Sequence, residues 1–321
     1  MKKIRNLASL VLFALSLCIG APVLADSALS VTLTPPMYQL TIGPGDTWNS
    51  SLKVVNNNSY PVTYYAQVVD MEASGETGQS KFIPVISGQD PALSAAQLAR
   101  WITIEKGPIT IKPGTSGNVH FTVNVPQNAE PGGHYAAILV GTQPLDASST
   151  GSRMVISSYV SSLLFVRIKG DVVESGRIRE FSSDRSLYQE PKADFVLRFE
   201  NTGNTHVRPE GDVTIYNMWG KERGKLVVNA EQGFGNVLPK QIRRFEFSWE
   251  GEASVFDIGR YSAEVTLAYG DDERHSVSAT TYFWVVPVVP VSITLGVIVL
   301  GVTVHPLLFL LLLLILLLFV F

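Results

Sequence analysis

Apolar and polar residues alternate along most of this chain, and one alternating stretch occurs twice. Pro113–Val140 aligns without a gap on Pro239–Thr266, with apolar residues at the same places in the first half of each copy. A glycine and then a tyrosine follow in both copies, the tyrosines being Tyr135 and Tyr261. Alternation with a period of two predicts a half-buried strand, and two such strands joined by a turn predict a hairpin. The repeat therefore predicts two β domains of one kind in tandem.

Shorter alternating stretches, separated by turn residues, surround the repeat. An asparagine turn at Asn56–Asn58 has its counterpart at Asn201–Asn204, since asparagine tolerates the left-handed backbone that turns need. Met154–Ile168 is apolar on both faces and predicts a central, doubly buried strand, while Ala92–Arg100 predicts a short helix. We therefore expect an all-β fold of two tandem immunoglobulin-like β-sandwiches.

The predicted domain boundaries follow from these stretches. Residues 26–172 form the first immunoglobulin-like β-sandwich and residues 173–286 the second, divided at the short polar run Gly170–Gly176. Both lengths are typical of one domain, which is about 100 to 150 residues.

Residues 1–25 carry the features of an N-terminal signal peptide. Three basic residues precede an apolar run, and Val23–Ala25 is close to the small-residue motif that signal peptidase recognises. We expect export and a mature chain that begins at Asp26. Lipoprotein processing at Cys18 is the alternative, although Leu17 before it is larger than that motif requires.

Export changes both the cysteine content and the charge of the chain. Cleavage after residue 25 removes the only cysteine, so the exported chain has no disulfide and depends on its hydrophobic core. Three basic residues are lost as well, which moves the net charge from −3 to −6. A mildly acidic chain without a basic run is a poor nucleic-acid binder.

Residues 287–321 form an apolar tail whose only ionisable side chain is His305. One bilayer span needs about 20 apolar residues, so the tail predicts a transmembrane helix, or a helical hairpin broken at His305–Pro306. This places the protein in the cell membrane with its ectodomain on the exported, extracellular side. The alternatives are a secreted protein whose tail packs inside the fold, and a truncated or frame-shifted gene end.

The first predicted domain resembles a known family through a series of turn and strand motifs. These are Gly43–Asp46 before an alternating strand, Val54–Asn57 with its return strand, Ile111–Gly114, and Val125–Pro126 followed by Pro131–Gly133. They are similar to the N-terminal, peptidoglycan-binding domain of the WxL-interacting proteins of bacterial cell surfaces. The resemblance implies two immunoglobulin-like domains, one membrane span, wall association and partner binding, and it assigns no binding site. The basic cytoplasmic tail usual in that family is missing from this sequence.

No motif of a known catalytic centre occurs in the sequence. His-Glu-x-x-His, Gly-x-Ser-x-Gly and the phosphate-binding Gly-x-x-x-x-Gly-Lys are all missing. His120, His206 and His275 fall at polar or turn positions, where we expect solvated side chains, and His134 lies beside a glycine turn as a polar turn residue. No two of these histidines have the spacing of metal ligands. We therefore expect no catalytic, cofactor-binding or metal-binding residue, no cofactor, and no enzymatic activity.

The tryptophans are the candidates for a sugar-binding surface. Trp48 and Trp249 share a strand face with apolar residues, which favours core packing. Trp219 lies in a charged turn, and we predict it to be an exposed ligand-binding contact. Trp284 shortly precedes the apolar tail and suits a membrane interface.

Three functional hypotheses follow from these features. The first is a non-enzymatic, membrane-anchored surface protein that binds cell-wall polymer or a partner surface protein through strand edges and loops. The alternative is a membrane-tethered chaperone or assembly factor that lends such an edge to exported surface subunits. A cell-wall hydrolase is the third hypothesis.

Overall fold

A computed structural model describes most of the chain between residues 30 and 286. The described residues are 30–85, 97–144, 159–229, 235–252, 258–286, 292 and 295–299. The predicted signal peptide and nearly all of the predicted tail lie outside them.

Strands account for most of the described secondary structure, α1 is a short helix between them, and residues 292 and 295–299 are also helical. The strands are β1 (Val31–Thr34), β2 (Met37–Ile42), β3 (Thr47–Asn56), β4 (Val62–Ser74), β5 (Gln79–Pro84), β6 (Ile102–Ile104), β7 (Ile109–Ile111), β8 (Ser116–Asn124), β9 (Gly132–Gly141), β10 (Tyr159–Ile168), β11 (Gly176–Ser183), β12 (Leu187–Tyr188), β13 (Lys192–Asn201), β14 (Glu210–Tyr216), β15 (Glu222–Val228), β16 (Ile242–Glu250), β17 (Gly259–Tyr269) and β18 (His275–Val285). Helix α1 is Leu98–Trp101, which is the described end of the predicted helix. The all-β prediction is confirmed.

Strands β1 to β10 form two sheets, which we call the N-terminal sandwich. One sheet has the order β1-β3-β8-β6, and the other has the order β2-β10-β9-β4-β5 with β7 paired to β4. Their facing side chains make one core, in which Leu52 and Phe121 from the first sheet and Ile138 and Leu164 from the second are all buried. Strand β10 lies between β9 and β2, so its predicted central position is confirmed where β2 accompanies it.

Strands β11 to β18 form two further sheets, which we call the C-terminal sandwich. Their orders are β11-β13-β16 and β12-β18-β17-β14-β15. The core between them is rich in aromatic residues, and Phe195, Phe199, Tyr261 and Phe283 are almost completely buried in it.

The paired asparagine turns are confirmed and have the same hydrogen bonds. The side-chain amide of Asn56 donates to the carbonyls of Tyr60 and Ile111, both at 2.9 Å. Asn201 donates to Thr205 O at 2.7 Å and Val237 O at 2.8 Å. Each asparagine therefore joins its own turn to a second segment of its sandwich.

The repeated strand pair is not a hairpin in either copy. Strand β8 pairs with β3 and β6, whereas β9 pairs with β10 and β4 in the opposite sheet. Likewise β16 pairs with β13, and β17 pairs with β14 and β18. The predicted turn is thus a connection between sheets. Alternation indicates that one face of a strand is buried, but it does not indicate which strand lies next to that strand in the sheet.

The ungapped repeat is correct in its first strand and wrong by one residue in its second. Ala136 and Ile138 face the N-terminal core, whereas Ala263 and Val265 face the C-terminal core. The residue equivalent to Gly259 is therefore Gly132: both begin their strands, with φ of 128° and 120°. A shift of one residue turns every side chain to the other face of a strand.

This shift also changes the role of His134. It corresponds to the buried Tyr261 and is itself buried, with its ring 4.6 Å from that of Trp101. Its Nε2 donates to Glu130 O at 2.9 Å. The prediction of a polar turn residue is wrong because the β8–β9 connection is one residue shorter than its repeat.

The predicted localisation in the cell membrane is corrected. Among the described residues no helix is both long enough and apolar enough to cross a bilayer. The prediction rested on residues 287–321, of which the structure describes only 292 and 295–299.

Candidate interaction surfaces

One edge of the N-terminal sandwich is left partly open. Strand β2 accompanies β10 from Leu163 to Ile168, with Leu163 paired to Met37. Before Pro35 the chain belongs to the opposite sheet, because β1 pairs with β3. Among the described residues, no strand lies beside Tyr159–Ser162 on the side away from β9.

The backbone groups on this open edge can be assigned. Leu163 N–H donates to Pro36 O at 2.9 Å and so points towards the β2 side of the strand. Alternate residues of a strand direct their backbone groups to the same side, so Tyr159 and Ser161 present theirs to the open edge. Such an edge can accept an added strand.

A buried ion pair lies where the two sandwiches meet. Arg167 of β10 contacts Glu174 at 2.7 Å and Asp272 at 2.5 Å. The side chains of Arg167 and Glu174 are only 9% and 5% exposed, whereas that of Asp272 is 77% exposed. Burial raises the pKa of Glu174, but the N–H group of Asp271 and the Arg167 guanidinium outweigh it, so the pKa lies below its ordinary value. The charged form of Glu174 is therefore the stable one here.

His206 extends the same junction. Its ring lies 5.0 Å from that of Phe165 and 5.7 Å from that of Tyr135, whose hydroxyl is 3.3 Å from Nδ1 of His206. Burial, followed by the positive charge of Arg167, lowers the pKa of His206 to about 4. Burial also raises the pKa of Tyr135. The prediction that His206 is a solvated turn residue is wrong, because the N-terminal sandwich covers it.

The turn between β4 and β5 also reaches the C-terminal sandwich. The carboxylate of Glu76 contacts Arg198 at two points, at 2.5 and 2.8 Å. The backbone carbonyl of Glu76 accepts a hydrogen bond from the backbone N–H of Arg244 at 2.7 Å. The junction thus has a second, more exposed point of attachment.

A groove with two pockets runs between the sandwiches. The apolar pocket is lined in part by Met71, Phe165 and Arg243. The polar pocket includes His206 and Arg208. Met37 and Asn236 line both, so the two pockets adjoin.

The predicted contact Trp219 lies at the rim of an aromatic depression. It is 70% exposed, and its neighbours Met218 and Gly220 line the depression. Tyr282 and Trp284 on β18 are 53% and 49% exposed on the same surface. The sequence correctly predicted that Trp219 is exposed, whereas its role as a ligand contact stays a prediction. The sequence assigned Trp284 to a membrane interface and did not single out Tyr282.

The other tryptophans considered from the sequence have core contacts. Trp249 is buried, 6.0 Å from the ring of Tyr261, and half-buried Trp48 lies 5.6 Å from Phe121. His120 is exposed, as predicted. Among the described residues, no group of three or more His, Cys, Asp or Glu side chains could hold a metal ion.

Comparisons with known proteins give similarity only at the level of solved structures. No protein-family model matches the chain, and no curated protein matches it. The chain is similar to the class 5 fimbriae chaperone CfaA, with 10% identity, 79% of this chain and 99% of that chain covered, and a TM-score of 0.39. The E. coli chaperone DraB gives 12% identity, 78% and 98% coverage and a TM-score of 0.34.

A third similar structure is a chaperone-tip adhesion subunit pre-assembly complex, CsuC-CsuE of Acinetobacter baumannii. It gives 12% identity, covers 78% of this chain and 97% of that chain, and has a TM-score of 0.38. All of these identities and TM-scores are low, so we base the function on the geometry of this chain. The resemblance to the WxL-interacting family stays a prediction.

Proposed function

We propose that this chain is a non-enzymatic binding protein that holds an extended segment of a partner surface protein beside β10. In this role it acts as an assembly factor for exported surface subunits. The observation that carries the proposal is the open edge at Tyr159–Ser162, where β1 has passed to the opposite sheet.

The open edge is suited to strand addition because its neighbours hold it in an extended conformation. The same residues pair with β9 on their other side, from Tyr159 opposite Gly141 to Ser162 opposite Ile138. An added strand would satisfy the backbone groups of Tyr159 and Ser161, which have no strand partner on that side among the described residues. Main-chain hydrogen bonds of this kind give affinity without a deep pocket.

Proline substitution tests the proposal, because it removes one N–H from the open edge and keeps the hydrogen bonds between β10 and β9 on the other side. The probe is a soluble synthetic peptide in which valine alternates with threonine and lysine. We expect the chain to bind it and to gain amide-exchange protection at Tyr159 and Ser161. Ser161→Pro should abolish binding, whereas Ser161→Ala, which keeps the N–H, should bind like the unmodified chain. Equal binding by the proline and alanine variants would rule out this edge.

A cell-wall polymer is the second candidate ligand, favoured by the aromatic depression. Flat exposed rings can pack against the apolar faces of sugars, and polar side chains beside them can bind hydroxyl groups. Arg260 stacks on Tyr282, with Cζ 4.4 Å from the ring centre, and Ser262 and Glu264 line the same depression.

Binding to purified cell wall tests this second candidate. Trp219→Ala and Trp284→Ala should each weaken retention of the chain on the wall with little change in its thermal unfolding, since the two residues are 70% and 49% exposed. Phe82→Ala is the matched control, because Phe82 is an exposed aromatic residue of the N-terminal sandwich. Unchanged retention of both tryptophan variants would remove the depression as a wall contact.

A further inference from the structure

An apolar cavity of about 160 Å³ lies between the two sandwiches. The N-terminal sandwich supplies Met71, Leu163 and Phe165 to its wall, and the C-terminal sandwich supplies Val237 and Ile242. For scale, an apolar cavity of about 150 Å³ is large enough to hold benzene. This cavity therefore has room for a small ring or a short alkyl chain.

Arg243 brings a positive charge to the wall of this cavity. Its Nη1 donates to Asn236 O at 3.0 Å, and its Cζ lies 5.4 Å from the centre of the Phe245 ring. Among the residues that the structure describes, its buried Nε has no hydrogen-bond acceptor. Burial lowers the pKa of Arg243, which is the direction expected of a cation without a nearby counter-charge.

The neighbouring arginines differ from Arg243 in this respect. Arg198 pairs with Glu76, and Arg244 pairs with Glu246 at 2.7 Å. Among the described residues, no carboxylate lies within ion-pair distance of Arg243. Since half-buried charges are costly without a partner, the missing counter-charge points to a ligand.

Gly78 leaves room for the guanidinium of Arg243 beside the cavity. A Cβ at residue 78 would lie 2.6 Å from Cζ of Arg243, so a side chain there would displace the guanidinium from its present position. Gly78 also has a φ of 79°, which favours glycine. Glycine here therefore allows the turn before β5 to approach the cation closely.

We infer that this cavity binds a small carboxylate with an apolar body, the carboxylate on Arg243 and the body against Met71, Leu163 and Phe165. An aromatic acid or a short aliphatic acid has this chemistry. A guanidinium is well matched to a carboxylate through paired hydrogen bonds. This site adjoins the open edge of β10 but uses different residues of that strand, Leu163 and Phe165, and it does not depend on the proposed function.

Calorimetric titration of the full chain with benzoate tests the inference. We expect the unmodified chain to bind benzoate more tightly than acetate, which lacks the apolar body, and more tightly than benzyl alcohol, which lacks the charge. Arg243→Met should weaken benzoate binding by about tenfold or more, because a hydrogen-bonded charge contact is lost. Arg244→Met, at the adjacent position on the same strand, is the control and should bind benzoate normally.

Further variants separate ligand binding from folding. Arg243→Met should unfold at a temperature no lower than the unmodified chain, because it removes a half-buried charge that has no carboxylate partner. Ala73→Leu adds bulk to the cavity wall and keeps the charge, and it should also weaken benzoate binding. Failure of the unmodified chain to bind benzoate, equal binding by Arg243→Met, or equal affinity for acetate would each overturn the inference.

Discussion

Asn56 and Asn201 occupy equivalent places in the two sandwiches, and both are completely buried. Each donates two side-chain hydrogen bonds to main-chain carbonyls, and each accepts one from a backbone N–H two residues later, that of Asn58 or Gly203. The two turns are therefore stabilised by the same set of side-chain hydrogen bonds.

Removal of either asparagine side chain should destabilise its own sandwich. Asn56→Ala and Asn201→Ala each leave buried carbonyls without donors, so we expect a loss of about 2 to 4 kcal/mol in the free energy of unfolding. Urea denaturation measures this loss. Asn57→Ala is the control, because Asn57 is exposed and, within the described part of the chain, its side chain bonds only to the hydroxyl of Thr32. If Asn57→Ala destabilises as much as Asn56→Ala, the buried hydrogen bonds are not responsible.

Arg167 should stabilise the folded protein mainly because it neutralises the buried carboxylate of Glu174. Arg167→Met leaves a buried carboxylate without its cation, so we expect a loss of about 3 kcal/mol in urea unfolding. The double variant Arg167→Met/Glu174→Gln should recover part of this loss, since the unpaired charge is then absent. Lys192→Met, which breaks the exposed pair with Glu190, should leave the unfolding midpoint unchanged. If the double variant lost as much unfolding free energy as the two single substitutions added together, Arg167 and Glu174 would not stabilise each other.

Stability should fall on mild acidification because of His206. Its pKa is lowered to about 4 in the folded protein, against about 6.5 in an unfolded chain. Between these values the unfolded chain binds the additional proton, so this contribution is present above about pH 6.5 and is lost as the pH falls towards 4. From about pH 7.5 to about pH 5 we expect a loss of about 2 kcal/mol.

Substitution of His206 tests this pH dependence. His206→Gln cannot titrate, so its unfolding free energy should change less over the same pH interval than that of the unmodified chain. The measurement stops near pH 5, since the contribution of Glu174, whose pKa lies below its ordinary value, is lost only at lower pH. His120→Gln alters an exposed histidine and should preserve the original pH profile. A pH profile of His206→Gln identical to that of the unmodified chain would show that His206 does not drive the loss.

Local pattern was sufficient to predict which stretches are strands but not how they pair. The alternation in β8 and β9 correctly indicates that each has one buried face, yet the two strands belong to opposite sheets. A hairpin and a connection between sheets bury the same alternate residues, so the sequence does not distinguish them. The one-residue error at Gly132 has a similar cause. Residues 132 and 133 are both glycine, and only the core-facing side chains and the φ angles identify Gly132 as the equivalent of Gly259.

The candidate sites also differ in whether the sequence could predict them. Trp219 was accessible to sequence reasoning because a charged turn keeps its side chain in solvent. Arg243, His206 and the open edge at Tyr159–Ser162 were not, because nothing local marks them. Their environments come from residues distant in the chain, such as Phe165 beside His206 and Met71 in the cavity near Arg243.

The sequence by itself determined that this protein is built from strands, that a stretch of two consecutive strands occurs twice, and that an asparagine turn recurs. These properties depend on backbone preferences and on the period of two in side-chain direction, which act over a few residues. Only the tertiary structure decided which strands are neighbours, which edge is open and which charges are buried. Those properties depend on contacts between segments far apart in the chain.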